Sequence, residues 1–155
     1  MTERILVWLV ACALVSACGV REDPARRELS QRLRQDAQLS SGELGRFRAE
    51  ISRAMEGKTL LKQGSVPEEL DAEQRELISD ILAGPPGLFD EGMKVQGEKT
   101  FRVLNAAARS TDAEVEAFQR LWIDVETFLP RRFEMAHAVQ GYEAYTIDLV
   151  VGPKK

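Results

Sequence analysis

Residues 111–129, with the sequence TDAEVEAFQRLWIDVETFL, decide the predicted fold. Their large apolar side chains recur at alternating spacings of three and four residues, at Val115, Phe118, Trp122, Val125 and Leu129. That spacing places these side chains on one face of an α-helix. Thr111 and Glu114 add the signature of a capping box at its start. We therefore predict a long amphipathic helix that breaks or kinks at Pro130 and resumes through Ala138.

The upstream sequence has the same helical character. Further helices are predicted over residues 25–38, 40–56, 67–83 and 98–109. Ser40 and Glu43 form a second capping box, and Gly57 ends the helix that follows it. Gly84 ends the next helix. The Pro- and Gly-rich residues 84–97 are predicted to form a long loop.

The C-terminal end follows a different period. Apolar side chains there alternate with more polar ones, at Tyr145, Ile147, Leu149 and Val151. This period of two is typical of a strand, here over residues 142–151. A lone strand is unstable, so its expected partner is either residues 58–63 or residues 93–96. The expected architecture is an all-α or mostly α domain of about five helices over residues 25–155, with a minor C-terminal β element.

The composition bounds the class of protein. Of the 155 residues, 44% are hydrophobic and 30% are charged, as in a globular protein rather than a disordered one. The formal net charge is −4, without the basic excess that is usual in nucleic-acid-binding proteins. We therefore expect one folded domain and no nucleic-acid partner.

The first residues have the organisation of a bacterial export signal. Arg4 precedes an apolar run of 11 residues from Ile5 to Val15. This run is about half of the roughly 20 residues that span a bilayer as a helix. The other interpretations of this stretch are a short transmembrane anchor and a buried N-terminal helix.

The sequence Leu14-Val15-Ser16-Ala17-Cys18 resembles the lipobox of bacterial lipoprotein precursors, in which a small residue precedes the lipidated cysteine. The family usually has Leu three places before the cysteine, where this chain has the tolerated variant Val15. The resemblance covers only the signal, and it implies cleavage before Cys18 and diacylglycerol on the Cys18 sulfur. Residues 1–17 are then a signal peptide, and residues 18–24 are a lipidated tether.

The residue after the cysteine bears on the choice of membrane. In enteric-type bacteria an Asp in that place resembles an inner-membrane retention signal, whereas this chain has Gly19. We therefore expect an outer-membrane lipoprotein that faces the periplasm. The only other cysteine, Cys12, lies in the excised segment, so the mature domain has no disulfide and must rely on its packed core.

No set of residues in the sequence predicts catalysis, a cofactor or a metal site. His137 is the only histidine, which excludes a multi-histidine metal site within one chain. A packed or capping role suits it better than a catalytic one. Acidic residues that paired-carboxylate chemistry could use are present, at Glu68, Glu69, Asp90 and Glu91. Gly57-Lys58-Thr59 ends like a phosphate-binding loop, but Ser52 stands where that motif needs its first glycine, so we expect no nucleotide.

Three apolar residues are candidates for contact with a partner. Leu88 and Phe89 lie in the predicted loop, where they are either tucked onto the core or offered to a partner. Ile123 lies off the apolar stripe of the helix over 112–128, which either packs on two sides or presents Ile123 to a partner. Trp122, on that stripe, is expected in the core. The arginines between residues 21 and 34 either contact anionic headgroups or form a solvated helix face.

The leading functional hypothesis is a non-catalytic binding or assembly accessory of the cell envelope, held on the membrane by lipid on Cys18 and docked on an envelope protein. One alternative is an envelope hydrolase that uses carboxylates or His137. Another is a structural lipoprotein without a specific ligand. An exposed apolar groove favours binding, a polar cleft favours catalysis, and a surface with neither favours the structural role.

Overall fold

The computed structural model describes residues 23–106, 117–137 and 143–154. Three helices and seven strands lie within these ranges. The helices are α1 (Pro24–Leu33), α2 (Ser41–Ala54) and α3 (Ala72–Ala83). The strands are β1 (Lys58–Lys62), β2 (Glu68–Glu69), β3 (Phe89–Gln96), β4 (Lys99–Asn105), β5 (Phe118–Asp124), β6 (Pro130–His137) and β7 (Glu143–Pro153). Among the described residues, none of the helices has the length and apolar character needed to cross a membrane.

The seven strands form one sheet in the order β2-β1-β7-β6-β5-β4-β3. Every neighbouring pair is antiparallel, and β3 to β7 follow one another as a meander. β1 extends the sheet beyond β7, with Leu60 opposite Val151. The predicted C-terminal strand is therefore confirmed, and of its two expected partners it pairs with residues 58–63, whereas residues 93–96 pair with β4.

The predicted mostly α fold of about five helices is wrong. Residues 84–97, expected as a loop, hold β3, and residues 98–109, expected as a helix, hold β4. The expected helix over 111–129 contains β5, and its expected continuation to Ala138 is β6. The expected capping box over residues 111–114 lies outside the described residues.

Apolar side chains on both sides of β5 explain the wrong prediction there. Leu121 and Ile123 are fully buried in the core. Trp122, between them, points to the opposite side of the sheet and is half-buried there. A strand that is covered on both sides loses the polar–apolar alternation of a half-exposed strand, so its apolar run fits helical spacing as well.

The predicted start of α2 is confirmed. Ser40 Oγ accepts a hydrogen bond from the Glu43 amide at 3.3 Å, and the Glu43 carboxylate accepts one from the Ser40 amide at 2.8 Å. The bonds to Ser40, together with the Arg32 side chain, hold the pKa of Glu43 below its usual range. The helix expected over residues 25–38 is shorter, because α1 ends at Leu33.

The helix α3 begins later than expected and ends at the expected glycine. Asp71 Oδ1 accepts a hydrogen bond from the Gln74 amide at 2.8 Å, which caps the helix at residue 72 rather than 67. Gly84 follows the helix with a left-handed φ of 77°. Arg48 Nε donates to the Leu82 carbonyl at 3.1 Å, and a Cβ on Gly84 would lie 2.1 Å from Arg48 Cζ.

We expect Gly84→Ala to lower the free energy of unfolding by about 0.5–1 kcal/mol more than Gly57→Ala, because Arg48 loses hydrogen bonds at the α3 terminus. Both glycines have a positive φ, so both variants carry the left-handed cost of about 1–2 kcal/mol. Only at Gly84 does the new methyl group displace Arg48, because nothing lies within 4 Å of a Cβ at Gly57. Urea unfolding of both variants measures the difference, and equal losses would contradict this account of the α3 terminus.

The three helices pack on one side of the sheet. Their buried residues are Leu29, Leu33, Phe47, Ile51, Ile78 and Ile81. These residues share one core with sheet residues that include Leu104, Leu121, Ile123, Phe133 and Leu149. Side chains alternate along a strand, so the residues between these point to the other side. We call that side the open face; one row across it is Val103, Trp122, Arg132 and Asp148, which are cross-strand neighbours.

A buried arginine ties β4 to the segment after α1. Arg102 is fully buried, and its Nε donates to Asp90 Oδ1 of β3 at 2.8 Å. Its Nη1 donates to the carbonyls of Leu33 at 3.2 Å and Gln35 at 2.8 Å. Its Nη2 donates to the Ala37 carbonyl and to Asp90 Oδ2. The whole guanidinium is therefore paired, which fixes the end of α1 against the first hairpin of the meander.

Candidate binding groove on the open face

A groove crosses the open face from the turn between β3 and β4 to the end of β1. The cavity has a volume of about 390 Å³. Its lining includes Gln96, Lys99, Phe101, Trp122, Asp148 and Gln63. Strands lie about 4.8 Å apart, so the four steps from β1 to β4 cover about 19 Å along the sheet. This is the length of about six residues of an extended chain.

Two aromatic rings and one guanidinium form the middle of the groove. Phe101 and Trp122 make an edge-to-face contact with ring centroids 5.8 Å apart. Arg132 places its guanidinium 5.4 Å from the Trp122 centroid. The Arg132 Nε donates to Asp148 Oδ1 at 2.8 Å, which fixes the side chain beside the ring. The groove therefore has an apolar floor with a positioned cation.

A β-bulge brings a second arginine to the same groove. Trp122 pairs with Arg132 whereas Ile123 pairs with Pro130, so Arg131 is an extra residue in β6. In a regular strand, Arg131 and Arg132 would point to opposite faces. A bulge changes the direction of a side chain, and here both arginines line the cavity.

Two nitrogen atoms of the lining are buried without a protein acceptor. They are Trp122 Nε1 and Arg131 Nε, and neither has a hydrogen-bond partner among the described residues. An unsatisfied buried donor typically costs about 1–3 kcal/mol. Such donors are unusual in folded proteins, and both belong to side chains that line the groove.

The groove is cationic although the chain is acidic overall. Lys99, Arg131 and Arg132 line it together with one carboxylate, Asp148. Arg132 already neutralises Asp148, so Lys99 and Arg131 set the sign of the potential. The formal net charge of the whole chain is −4, so this cationic groove is a local feature of the open face.

Glu91 of β3 also lies on the open face, where it forms an ion pair with Arg120. Glu91 accepts from Arg120 Nε at 2.9 Å and from Asn105 Nδ2 at 2.6 Å. Arg120 also lies 4.0 Å from the Phe118 ring centroid. Glu91 is therefore neutralised by its own partner and does not offset the charge of the groove.

The sequence-predicted contact residues lie apart from this groove. Leu88 is partly buried against the core, in agreement with the tucked alternative. Phe89 is the first residue of β3 and is half-buried. Ile123 is a fully buried core residue, which leaves none of its surface for a partner. The lipidation candidate Cys18 lies outside the described residues.

Trp122 is a groove residue whose predicted position was wrong. The helical interpretation put it in the core, whereas it lies on the open face, half-buried among groove residues. A usable signal was present in β6, where Arg132, Phe133, Glu134 and Met135 alternate with period two. That alternation predicts Phe133 in the core and Arg132 on the opposite face.

The acidic residues that were candidates for catalysis lie in three different places on the sheet. Asp90 belongs to the Arg102 ion pair on the core side, whereas Glu91 pairs with Arg120 on the open face. Glu68 and Glu69 are exposed on the edge strand β2, and His137 is the last residue of β6. Across the described ranges, no three His, Cys, Asp or Glu residues are grouped so that they could hold a metal ion.

Contacts within the chain involve Arg26 and Arg32 of α1 and also Arg34, which directly follows this helix. Arg32 Nε lies 2.7 Å from Glu43 Oε1, and Arg34 Nη2 lies 2.8 Å from Glu126 Oε1. Arg26 lies 4.9 Å from the Phe128 ring centroid. These contacts favour a solvated, ion-paired helix face, and membrane contact by this face remains an untested prediction.

Comparison with protein-family models, with curated proteins and with solved structures finds no match for this chain.

Proposed function

We propose that this chain is a lipid-anchored, non-catalytic binding protein of the bacterial cell envelope, held on the outer membrane through Cys18 and facing the periplasm. Its open-face groove docks an envelope protein. The observation that carries this proposal is the cationic, aromatic-floored groove, which is built from five strands and stabilised by its own ion pair.

The groove has the features of a binding site rather than of an active site. Its floor is aromatic, and aromatic residues and arginine are enriched where proteins bind one another. The cations around it are arginine and lysine, whose N–H groups donate hydrogen bonds to anionic groups of a partner. The Asp148 carboxylate lies 2.8 Å from Arg132 Nε, in an ion pair within the groove.

Lipid attachment supports this function physically. Acyl chains contribute about 0.8 kcal/mol for each buried methylene, so a multiply acylated cysteine gives a stable anchor. Confinement to a surface raises the effective concentration of the groove for other membrane components. A groove of low affinity can then bind a membrane component that it would not bind appreciably in free solution.

Photo-crosslinking in cells tests this function. A photoreactive amino acid would replace Gln63 or Gln96, the exposed residues at the two ends of the groove. Matched controls would carry it at Glu76 or Asp80, exposed residues of α3 on the helix side. We expect both groove positions to capture the same envelope protein and the α3 positions to capture none of it. Equal capture from all four positions, or none from the groove, would contradict the proposal.

A further inference from the structure

We propose that the groove recognises an extended acidic polypeptide segment through Lys99, Arg131 and Trp122. This inference rests on the proposed function and names the chemistry of its partner. Its starting point is charge complementarity. Among the described lining residues, the one carboxylate is already paired with Arg132, so Lys99 and Arg131 remain to attract negative charge.

The bulge in β6 places Arg131 in the groove, and an arginine there favours carboxylates as the ligand groups. A guanidinium presents its N–H groups as a planar fork that matches a carboxylate, and Arg131 reaches the groove only because it is the extra residue of the bulge. The Arg131 Nε has no protein acceptor among the described residues. The Arg131 side chain as a whole is partly exposed in the lining, so a carboxylate in the groove can approach its guanidinium and gain a charge-assisted hydrogen bond.

The shape of the groove favours an extended chain over a compact anion. It crosses five strands. Its cationic side chains and its aromatic rings are therefore spread along the groove and do not converge on one point. Gln63 at one end and Gln96 near the other carry side-chain amides, which donate to and accept from peptide groups. The rings of Phe101 and Trp122 between them can pack against the methylene groups of glutamate side chains.

Trp122 provides a direct readout. The chain has two tryptophans, Trp8 and Trp122, and cleavage before Cys18 removes Trp8. A Trp8→Phe variant makes Trp122 the sole tryptophan in any uncleaved chain as well. In detergent, an octaglutamate peptide is expected to change Trp122 emission saturably, with binding that weakens as salt rises. Octalysine and a neutral glycine–serine peptide of the same length are expected to have no such effect.

Charge variants identify the residues that bind. Lys99→Gln combined with Arg131→Gln is expected to weaken octaglutamate binding at least tenfold, because a hydrogen bond to a charged group typically contributes about a factor of ten. Lys99→Gln alone, at an exposed position, is expected to weaken it about two- to fivefold. The matched control, Arg75→Gln with Lys154→Gln, removes the same charge away from the groove and should bind like the parent chain.

Recognition of an acidic segment is contradicted if octaglutamate does not change Trp122 emission, or if the groove variant binds octaglutamate as tightly as the control does. It is also contradicted if inorganic phosphate or phosphatidylglycerol vesicles bind and octaglutamate does not. Photo-crosslinking from Gln63 and Gln96 distinguishes a wrong partner chemistry from a wrong proposed function. A protein captured there without octaglutamate binding overturns only the acidic chemistry of the partner.

Discussion

Arg102→Ala is expected to lower the free energy of unfolding by about 3–5 kcal/mol. The substitution leaves Asp90 only 4% exposed and without its countercharge. It also removes the donors from three backbone carbonyls, at Leu33, Gln35 and Ala37. Asp90 still accepts from the Leu39 amide at 2.9 Å, so its carboxylate stays in the core when Arg102 is gone.

Arg132→Ala is the matched control for that measurement. Arg132 also pairs with an aspartate, but its side chain is 24% exposed and that of Asp148 is 51% exposed. Exposed ion pairs typically contribute about 0–1 kcal/mol. Urea denaturation followed by circular dichroism compares both variants with the parent chain. If the two variants lose the same small amount of stability, Arg102 does not hold the α1 segment to the meander.

Cys18→Ser is expected to abolish incorporation of labelled palmitate and to release the chain from the membrane fraction. The lipobox resemblance places the thioether on this sulfur, and serine cannot form it. Without acyl chains, the chain loses the anchor that the lipobox resemblance implies. Metabolic labelling followed by fractionation measures both losses.

Cys12→Ser is the control for the lipid anchor. It changes the only other cysteine, which lies within the apolar run of the signal. Label and membrane attachment are expected to be retained in this variant. Labelling that persists in Cys18→Ser, or that disappears in Cys12→Ser, would place the lipid elsewhere and remove the anchor from the account.

Local sequence signals predicted only part of the fold. The Ser40–Glu43 capping box, the terminating Gly84 and the alternating residues of β7 each act within a few residues, and the structure confirms all three. The strands β4 and β5 were missed because their residues are buried on both sides, including Val103 and Leu104 as direct neighbours. Burial on both sides removes the alternation on which strand prediction depends.

One turn carried a signal that marked the first hairpin. Gln96 pairs with Lys99 across the two residues Gly97 and Glu98, and Gly97 has a positive φ of 62°. Two-residue hairpin loops favour glycine because their geometry requires positive φ. The sequence around Gly97 therefore argued for a hairpin and against the predicted loop followed by a helix.

The groove itself could not be predicted from local sequence. Trp122, Arg132 and Asp148 become neighbours only through the registers of β5, β6 and β7. Arg131 joins them through a bulge whose position depends on the pairing of Ile123 with Pro130. Such contacts follow from strand pairing over long distances in the chain, which a periodicity argument does not address.

Quantitative co-purification from detergent-solubilised membranes, after mild crosslinking in cells, tests the central claim most directly. It compares the natural chain, Cys18→Ser, the groove variant Lys99→Gln with Arg131→Gln, and the control Arg75→Gln with Lys154→Gln. We expect one envelope protein to accompany the natural chain and the control in stoichiometric amounts, and to be lost with the other two. Equal recovery with the groove variant, or no protein accompanying the natural chain, would contradict an anchored binding protein that acts through this groove.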